Sequence, residues 1–122
     1  MSFDHEKMDV YQLSVDFISI ANELVESIPK GRAYLGNQLQ RAALSIVLNI
    51  AEGAGKFSPK DKASFYTTAR GSTTECAAVF DVCRQLQIIE EDVLKENKEI
   101  LNRIAQMLTK LIKAQKNPRV RA

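Results

Sequence analysis

A chain of 122 residues, 45% hydrophobic and 26% charged, fits one domain that buries a core without staples. With no Trp, three Pro, five Gly and plentiful Ala, Leu, Ile, Lys, Glu and Gln, it favours helix over sheet, and no apolar run approaches membrane-spanning length. A formal net charge of +2 excludes a strongly basic or acidic chain, and MSFDHEKMDV has no charged-then-apolar leader, so a soluble cytoplasmic protein is expected.

In chain order, breakers divide the sequence into four periodic segments. Pro29-Lys30-Gly31 ends a first helix expected at 5–28, and Gly53 to Pro59 ends a second at 33–53. Ser58 then offers a hydroxyl N-cap to a third helix at 59–87, with Pro59 at its first position and Asp61 in its first turn. A weaker break at Gln87-Ile-Ile-Glu-Glu91 opens a fourth helix at 90–115. Pro118 ends regular structure, which leaves a basic tail at 116–122. Connections this short make sequence neighbours antiparallel. The predicted fold is all-α, a single-domain antiparallel up-down-up-down four-helix bundle.

Placing successive residues 100° apart separates the faces of these segments. In the fourth helix Val93, Leu94, Ile100, Leu101, Ile104, Met107, Leu108, Leu111 and Ile112 fill one broad stripe. Lys95, Glu99, Asn102, Arg103, Gln106 and Lys110 lie opposite, as in an outer helix of a bundle. The second helix differs. Gln38, Arg41, Ser45, Asn49 and Glu52 crowd into an arc of roughly 80°, and apolar residues from Leu35 to Ala51 cover most of the remainder. The first is similarly over-supplied: Tyr11, Val15, Ile18 and Val25 form one side, and Val10, Leu13, Phe17, Ile20 and Leu24 continue it. A monomeric bundle leaves little apolar surface in water. Helices one and two are therefore expected to bury a second face against other subunits of a homo-oligomer, with generous packing inside a monomer as the competing reading.

Catalytic chemistry finds no foothold. Cys76 and Cys83 are seven residues apart, roughly 10 Å along a helix, which is too far for a disulfide; they read as buried thiols of a reducing compartment. His5, the single histidine, reads as a solvated end residue and not as a ligand or base. Glu52-Gly-Ala-Gly-Lys56 lacks the full phosphate-loop spacing and follows a helix instead of a strand, so its glycines read as a helix end and turn. No Glu-x-x-His occurs, so the ligand pattern of di-iron bundles is missing. The expectation is a protein that is not an enzyme and uses no metal or cofactor.

Ala69-Arg-Gly-Ser-Thr-Thr-Glu75 is the one local oddity of the third helix. A glycine inside a helix costs roughly 1 kcal/mol relative to alanine, so Gly71 is expected to permit a close helix approach. Glu75 falls on the apolar side with Gly71, Val79, Val82 and Leu86; Arg70 points about 140° away, with Thr74 and Asp81. A buried carboxylate needs a partner, and Arg41 is geometrically available. Arg41, Asn49, Glu52, Arg70 and Glu75 thus read as an inter-helix or inter-subunit polar network, the favoured reading, or as a ligand-facing site.

Charge is unevenly spread. Residues 1–57 carry five basic and seven acidic side chains, and residues 58–122 carry twelve and eight. From Lys110 to Arg121 there are five cations and no anion. Such a run binds phosphates by counterion release, or it is a solvated helix end that complements the helix dipole. The candidate nucleic-acid-binding residues are Arg84, Arg103, Lys110, Lys113, Lys116, Arg119 and Arg121. Base-stacking aromatics are not interleaved with them, which argues against sequence reading. Two functional readings follow: a nucleic-acid-binding adaptor, and a protein-interaction scaffold.

The motifs Ile28-Pro29, Leu39-Gln-Arg41-Ala-Ala-Leu-Ser45-Ile, Asn49-Ile-Ala-Glu-Gly53 and Ala69-Arg-Gly-Ser72-x-x-Glu75, in that order, resemble the four-helix-bundle family of 23S rRNA intervening-sequence proteins. The resemblance covers about Tyr11 to Ile112. The fold is also similar to the accessory variability protein of diversity-generating retroelements, a barrel-like homopentamer that engages a reverse transcriptase and nucleic acid through a basic surface. The resemblance implies a small helical bundle in a homopentameric barrel, without enzyme activity. It further implies RNA or another nucleic acid, or a protein such as a reverse transcriptase, as partner.

Overall fold

The computed structural model describes residues 3–116, which form four α-helices and two short 3-10 turns, with no strand among the described residues. α1 spans Asp9–Ser27, α2 Ala33–Ala54, α3 Pro59–Gln85 and α4 Glu91–Lys116; the 3-10 turns are Asp4–Lys7 and Lys30–Arg32. The first helix starts later than its periodicity predicts, because Asp4–Lys7 winds more tightly and Met8 is extended. That turn folds His5 back onto α1, where its ring lies 5.8 Å from that of Phe3 and meets Tyr11 edge-on at 4.6 Å. His5 is half-buried in ring contacts, which corrects the expectation of a solvated end residue.

Local chemistry sets the helix ends. Ser58 Oγ accepts from the Asp61 amide at 3.0 Å with Pro59 at the first helical position, so α3 begins where its cap places it. It ends two residues before its predicted stop. There the Gln87 amide donates to the Arg84 carbonyl at 3.0 Å and the Ile88 amide to the Cys83 carbonyl at 2.8 Å, while Gln87 takes a φ of 61°. This is a Schellman motif with glutamine at the left-handed position that glycine usually fills. The last carbonyls of α2 are capped by a side chain instead: Lys62 Nζ donates to Ala54 O at 2.9 Å and to Gly53 O at 3.4 Å.

The core follows stripes of helical period. α1 buries Val10, Ser14, Phe17, Ala21 and Leu24, and α3 buries Tyr66, Ala69, Thr73, Cys76, Val79, Phe80 and Cys83. Phe17 and Phe80 are fully buried and meet with ring centroids 6.1 Å apart. The buried hydroxyls are satisfied within their own helices, Ser14 donating to the Val10 carbonyl and Thr73 to that of Ala69. α2 packs extensively on α3 and α3 on α4, whereas α1 rests chiefly on α2. Ser45 meets Ser72, and Gly53 meets Tyr66; Arg70 meets Thr109, and Asp81 meets Lys98. Partner numbers fall as the chain advances, so α2 and α3 run antiparallel, as do α3 and α4.

The close approach falls at a different glycine from the one expected. A Cβ on Gly71 would meet nothing within 4 Å, whereas a Cβ on Gly53 would stand 2.7 Å from Tyr66 Cε1 and 3.1 Å from Phe65 Cβ. α3 offers two stripes of similar polarity on its wheel. The stripe with Gly71, Glu75 and Val82 faces outward, and the one with Ala69, Cys76 and Phe80 faces inward. Tyr66 is only 3% exposed and has little room to yield. Gly53→Ala is therefore expected to destabilise the fold by about 1–3 kcal/mol through overpacking. Gly71→Ala is expected to stabilise it by about 0.5–1 kcal/mol through helix propensity. Urea unfolding of both variants checks the pair; shifts of the same sign would refute the assignment.

Candidate nucleic-acid interface

α3 turns one face towards α4, and three polar links cross the seam. Arg84 Nε contacts Glu91 Oε2 at 3.1 Å, and its Nη1 donates to the Ile89 carbonyl at 3.4 Å. Lys98 Nζ contacts Asp81 Oδ1 at 2.9 Å. Farther along, Arg70 Nε donates to Thr109 Oγ1 at 2.9 Å, and Thr109 Oγ1 donates in turn to the Ala105 carbonyl at 2.9 Å. The hydroxyl proton is thus engaged within α4, which leaves the oxygen as the acceptor that orients the guanidinium.

A groove runs along this seam in two sections that share Arg70. The section of about 690 Å³ mixes signs, with Lys95 and Lys98 beside Glu91 and Glu99. The section of about 510 Å³ is lined by Arg70, Arg103, Lys110 and Lys113 and by no carboxylate. None of these four cations forms an ion pair with a described residue. Small side chains at Ala77 and Ala105 leave the space between the two helices open.

The structure gathers only part of the predicted sets. Arg103, Lys110 and Lys113 come together, and Lys116 is exposed at the end of α4. Arg84 stands apart: Glu91 matches its charge, and it ties down the turn between α3 and α4. Arg119 and Arg121 lie outside the described residues. The five-residue polar network does not form within the chain. Asn49 donates to the Ser45 carbonyl at 2.9 Å and to Ser45 Oγ at 3.1 Å, Glu52 sits 3.7 Å from Lys56, and Arg70 belongs to the α4 seam. Arg41 and Glu75 are both exposed and bond to no described residue, so the expected buried carboxylate is corrected to a surface one. Arg70 is the groove residue that the charge pattern missed. Its signal was present in the shared face of Arg70, Thr74 and Asp81.

The family model for the 23S rRNA-intervening sequence protein matches residues 6–110, from the first 3-10 turn to Lys110 of the groove. The chain belongs to that family. No curated protein matches it. In this intervening-sequence protein the matched span takes in the whole antiparallel pairing of α2 with α3 and the Arg70–Thr109 link.

Among the described residues no three or more His, Cys, Asp or Glu side chains gather to hold a metal ion, and no helix is long and apolar enough to cross a membrane. Burial, and secondarily the neighbouring Glu75 carboxylate, pushes the Cys76 thiol up to about 12, and burial raises Cys83 as well. A raised thiol stays protonated where an ordinary one ionises, and the thiolate is the nucleophile. The folded protein is expected to leave both thiols unlabelled by a disulfide reagent at pH 9. Unfolding in urea should release two reactive thiols, and rapid labelling of the native chain would contradict the burial.

Proposed function

We propose that this intervening-sequence protein is a non-catalytic, cytoplasmic RNA- or nucleic-acid-binding adaptor, an up-down-up-down four-helix bundle that works as a homo-oligomer. The observation that carries this reading is the basic side of α4, where Arg103, Lys110, Lys113 and Lys116 form no ion pair with a carboxylate of a described residue. Cations free of internal partners interact directly with a phosphate chain and release its condensed counterions. Repetition of the same patch around an oligomer multiplies a weak contact.

The oligomer has support of its own. Leu44 and Leu48 are 51% and 53% exposed one turn apart on α2, with Tyr34 exposed on the same face and Val15 on α1. Such surface is what a subunit contact covers. Arg41 and Glu75, opposite in charge and unpaired with any described residue, are suited to pairing across that contact. Five subunits is the count that the resemblance implies. The second reading is a scaffold that holds a protein such as a reverse transcriptase, and the wholly exposed Phe57 between α2 and α3 favours it.

Anisotropy titration of a mixed bacterial RNA pool tests the adaptor. Micromolar binding that weakens steeply from low to physiological salt is expected. No binding even at low salt would leave the scaffold as the reading. For the assembly, the double variant Leu44→Glu/Leu48→Glu is expected to reduce the light-scattering mass to that of one chain with helicity retained. An unaltered oligomer, or a wild-type protein that is already monomeric, would rule the α2 contact out.

A further inference from the structure

We propose that the all-cationic section of the α3–α4 groove seats the sugar-phosphate backbone of a single RNA strand, with Arg70 as its central phosphate ligand and Thr109 as the residue that positions Arg70. This rests on the adaptor reading and narrows it to one seam of the molecule.

Four observations converge on a polyphosphate chain. The section is lined by Arg70, Arg103, Lys110 and Lys113 and by no carboxylate of a described residue, so cations outnumber anions around it. Arg70 reaches it already oriented: Nε is held by Thr109 Oγ1, whose own proton is held by the Ala105 carbonyl. The two terminal nitrogens of the fork bond to no described residue, and their planar geometry matches two oxygens of one phosphate. Because the link to Thr109 exists without ligand, little ordering is left to be done on binding.

Spacing distinguishes a chain from a lone phosphate. Arg103 and Lys110 are two helical turns apart and Lys113 lies almost one turn further, a row of about 15 Å at ~1.5 Å per residue. That row is several times longer than one phosphate group, so it faces a short run of them along a strand and not a single one. A single phosphate would engage one or two of these groups and leave the rest unused. No aromatic side chain lines the section, so bases have no stacking platform and the strand is held by its backbone alone. An acidic peptide would find the same charges, with Ala105 and Met107 as the apolar side chains lining the section, so the experiment includes one as a competitor.

The test uses the full-length protein at its natural assembly state, with fluorescein-labelled twelve-nucleotide oligouridine and oligoadenine and a labelled glutamate dodecapeptide. Circular dichroism and light scattering establish that each variant is folded and assembled. Arg70→Ala is expected to weaken RNA binding about tenfold and to reduce the log–log salt slope by about 0.7, the contribution of one phosphate contact on a single strand. Thr109→Val keeps every charge, so the expected result is about threefold weaker binding with an unaltered slope. That split marks positioning as opposed to charge. Lys30→Ala, an equal charge change in the exposed 3-10 turn outside the groove, is expected to leave binding within about twofold. Should Arg70→Ala fail to fold, Arg70→Lys carries the test by keeping the slope and losing affinity. Oligouridine and oligoadenine are expected to bind alike. If the wild type binds RNA and Arg70→Ala behaves like Lys30→Ala, the groove is refuted and the adaptor reading stands. If the wild type binds no RNA at low salt, the adaptor reading falls and takes the groove with it. Tighter binding of the glutamate peptide than of either oligonucleotide overturns the proposal in favour of an acidic protein partner.

Discussion

Tyr66 lies against the bare backbone of α2 at Gly53, where any Cβ would stand 2.7 Å from its ring. Interiors packed at crystal density transmit such a contact instead of absorbing it, so this point fixes how near α2 and α3 come and in which register they meet. The Ser45–Ser72 hydroxyl pair at 2.8 Å, two turns away, reads the same register from the other side. With α3 held there, its buried stripe carries Phe80 to Phe17, and its adjoining face carries Arg70, Thr74 and Asp81 to α4. α3 is thus the element against which the other contacts are referenced.

The α3–α4 seam is unequal along its length. At the end near the connecting turn, Arg84–Glu91 and Lys98–Asp81 cancel charges locally, although exposed pairs of this kind stabilise only weakly. At the other end, Arg70, Arg103, Lys110 and Lys113 line one space and form no ion pair with a described residue. Like charges brought together repel, and solvent and salt reduce that repulsion without removing it. The core of Leu101, Ile104 and Leu108 beneath them asks for no such charges. The helix dipole favours cations in the last turn of α4, where Lys113 stands, but not Arg70 of α3 or Arg103 farther back in α4.

Local periodicity made much of the fold legible. The Ser58–Pro59 cap, the glycine break after α2 and the stripe of Leu101, Ile104 and Leu108 in α4 are properties of residues close together in sequence, and all appear where they were expected. α3 was harder, because Ala, Gly, Ser and Thr surround it and weaken the contrast between its faces. The wheel grouped Gly71, Glu75, Val79, Val82 and Leu86 as a core side; Val79 and Leu86 do pack on the core, whereas Gly71, Glu75 and Val82 are exposed, and the close approach moved to Gly53. Arg70, Thr74 and Asp81 were correctly placed on one face, but what faces them depends on the register of α4. Arg70 meets a threonine 39 positions away, a pairing that no window of local periodicity contains. The Arg84–Glu91 pair likewise exists only because the Gln87 turn reverses the chain between them.

The distribution of charge within α4 bears on encounters before any contact is made. Its first turn holds Glu91 and Asp92 and its last holds Lys113 and Lys116, so the side chains oppose the peptide dipole and over-compensate it. The helix consequently behaves as a rod with a positive far end. A polyanion approaching within about 8 Å, the screening length at physiological salt, exerts a torque that swings this end towards it. For such a polyanion, orientation would begin during diffusion and not after collision, with the basic end of α4 foremost. Salt shortens the range of that torque, and it would slow arrival as well as hasten release.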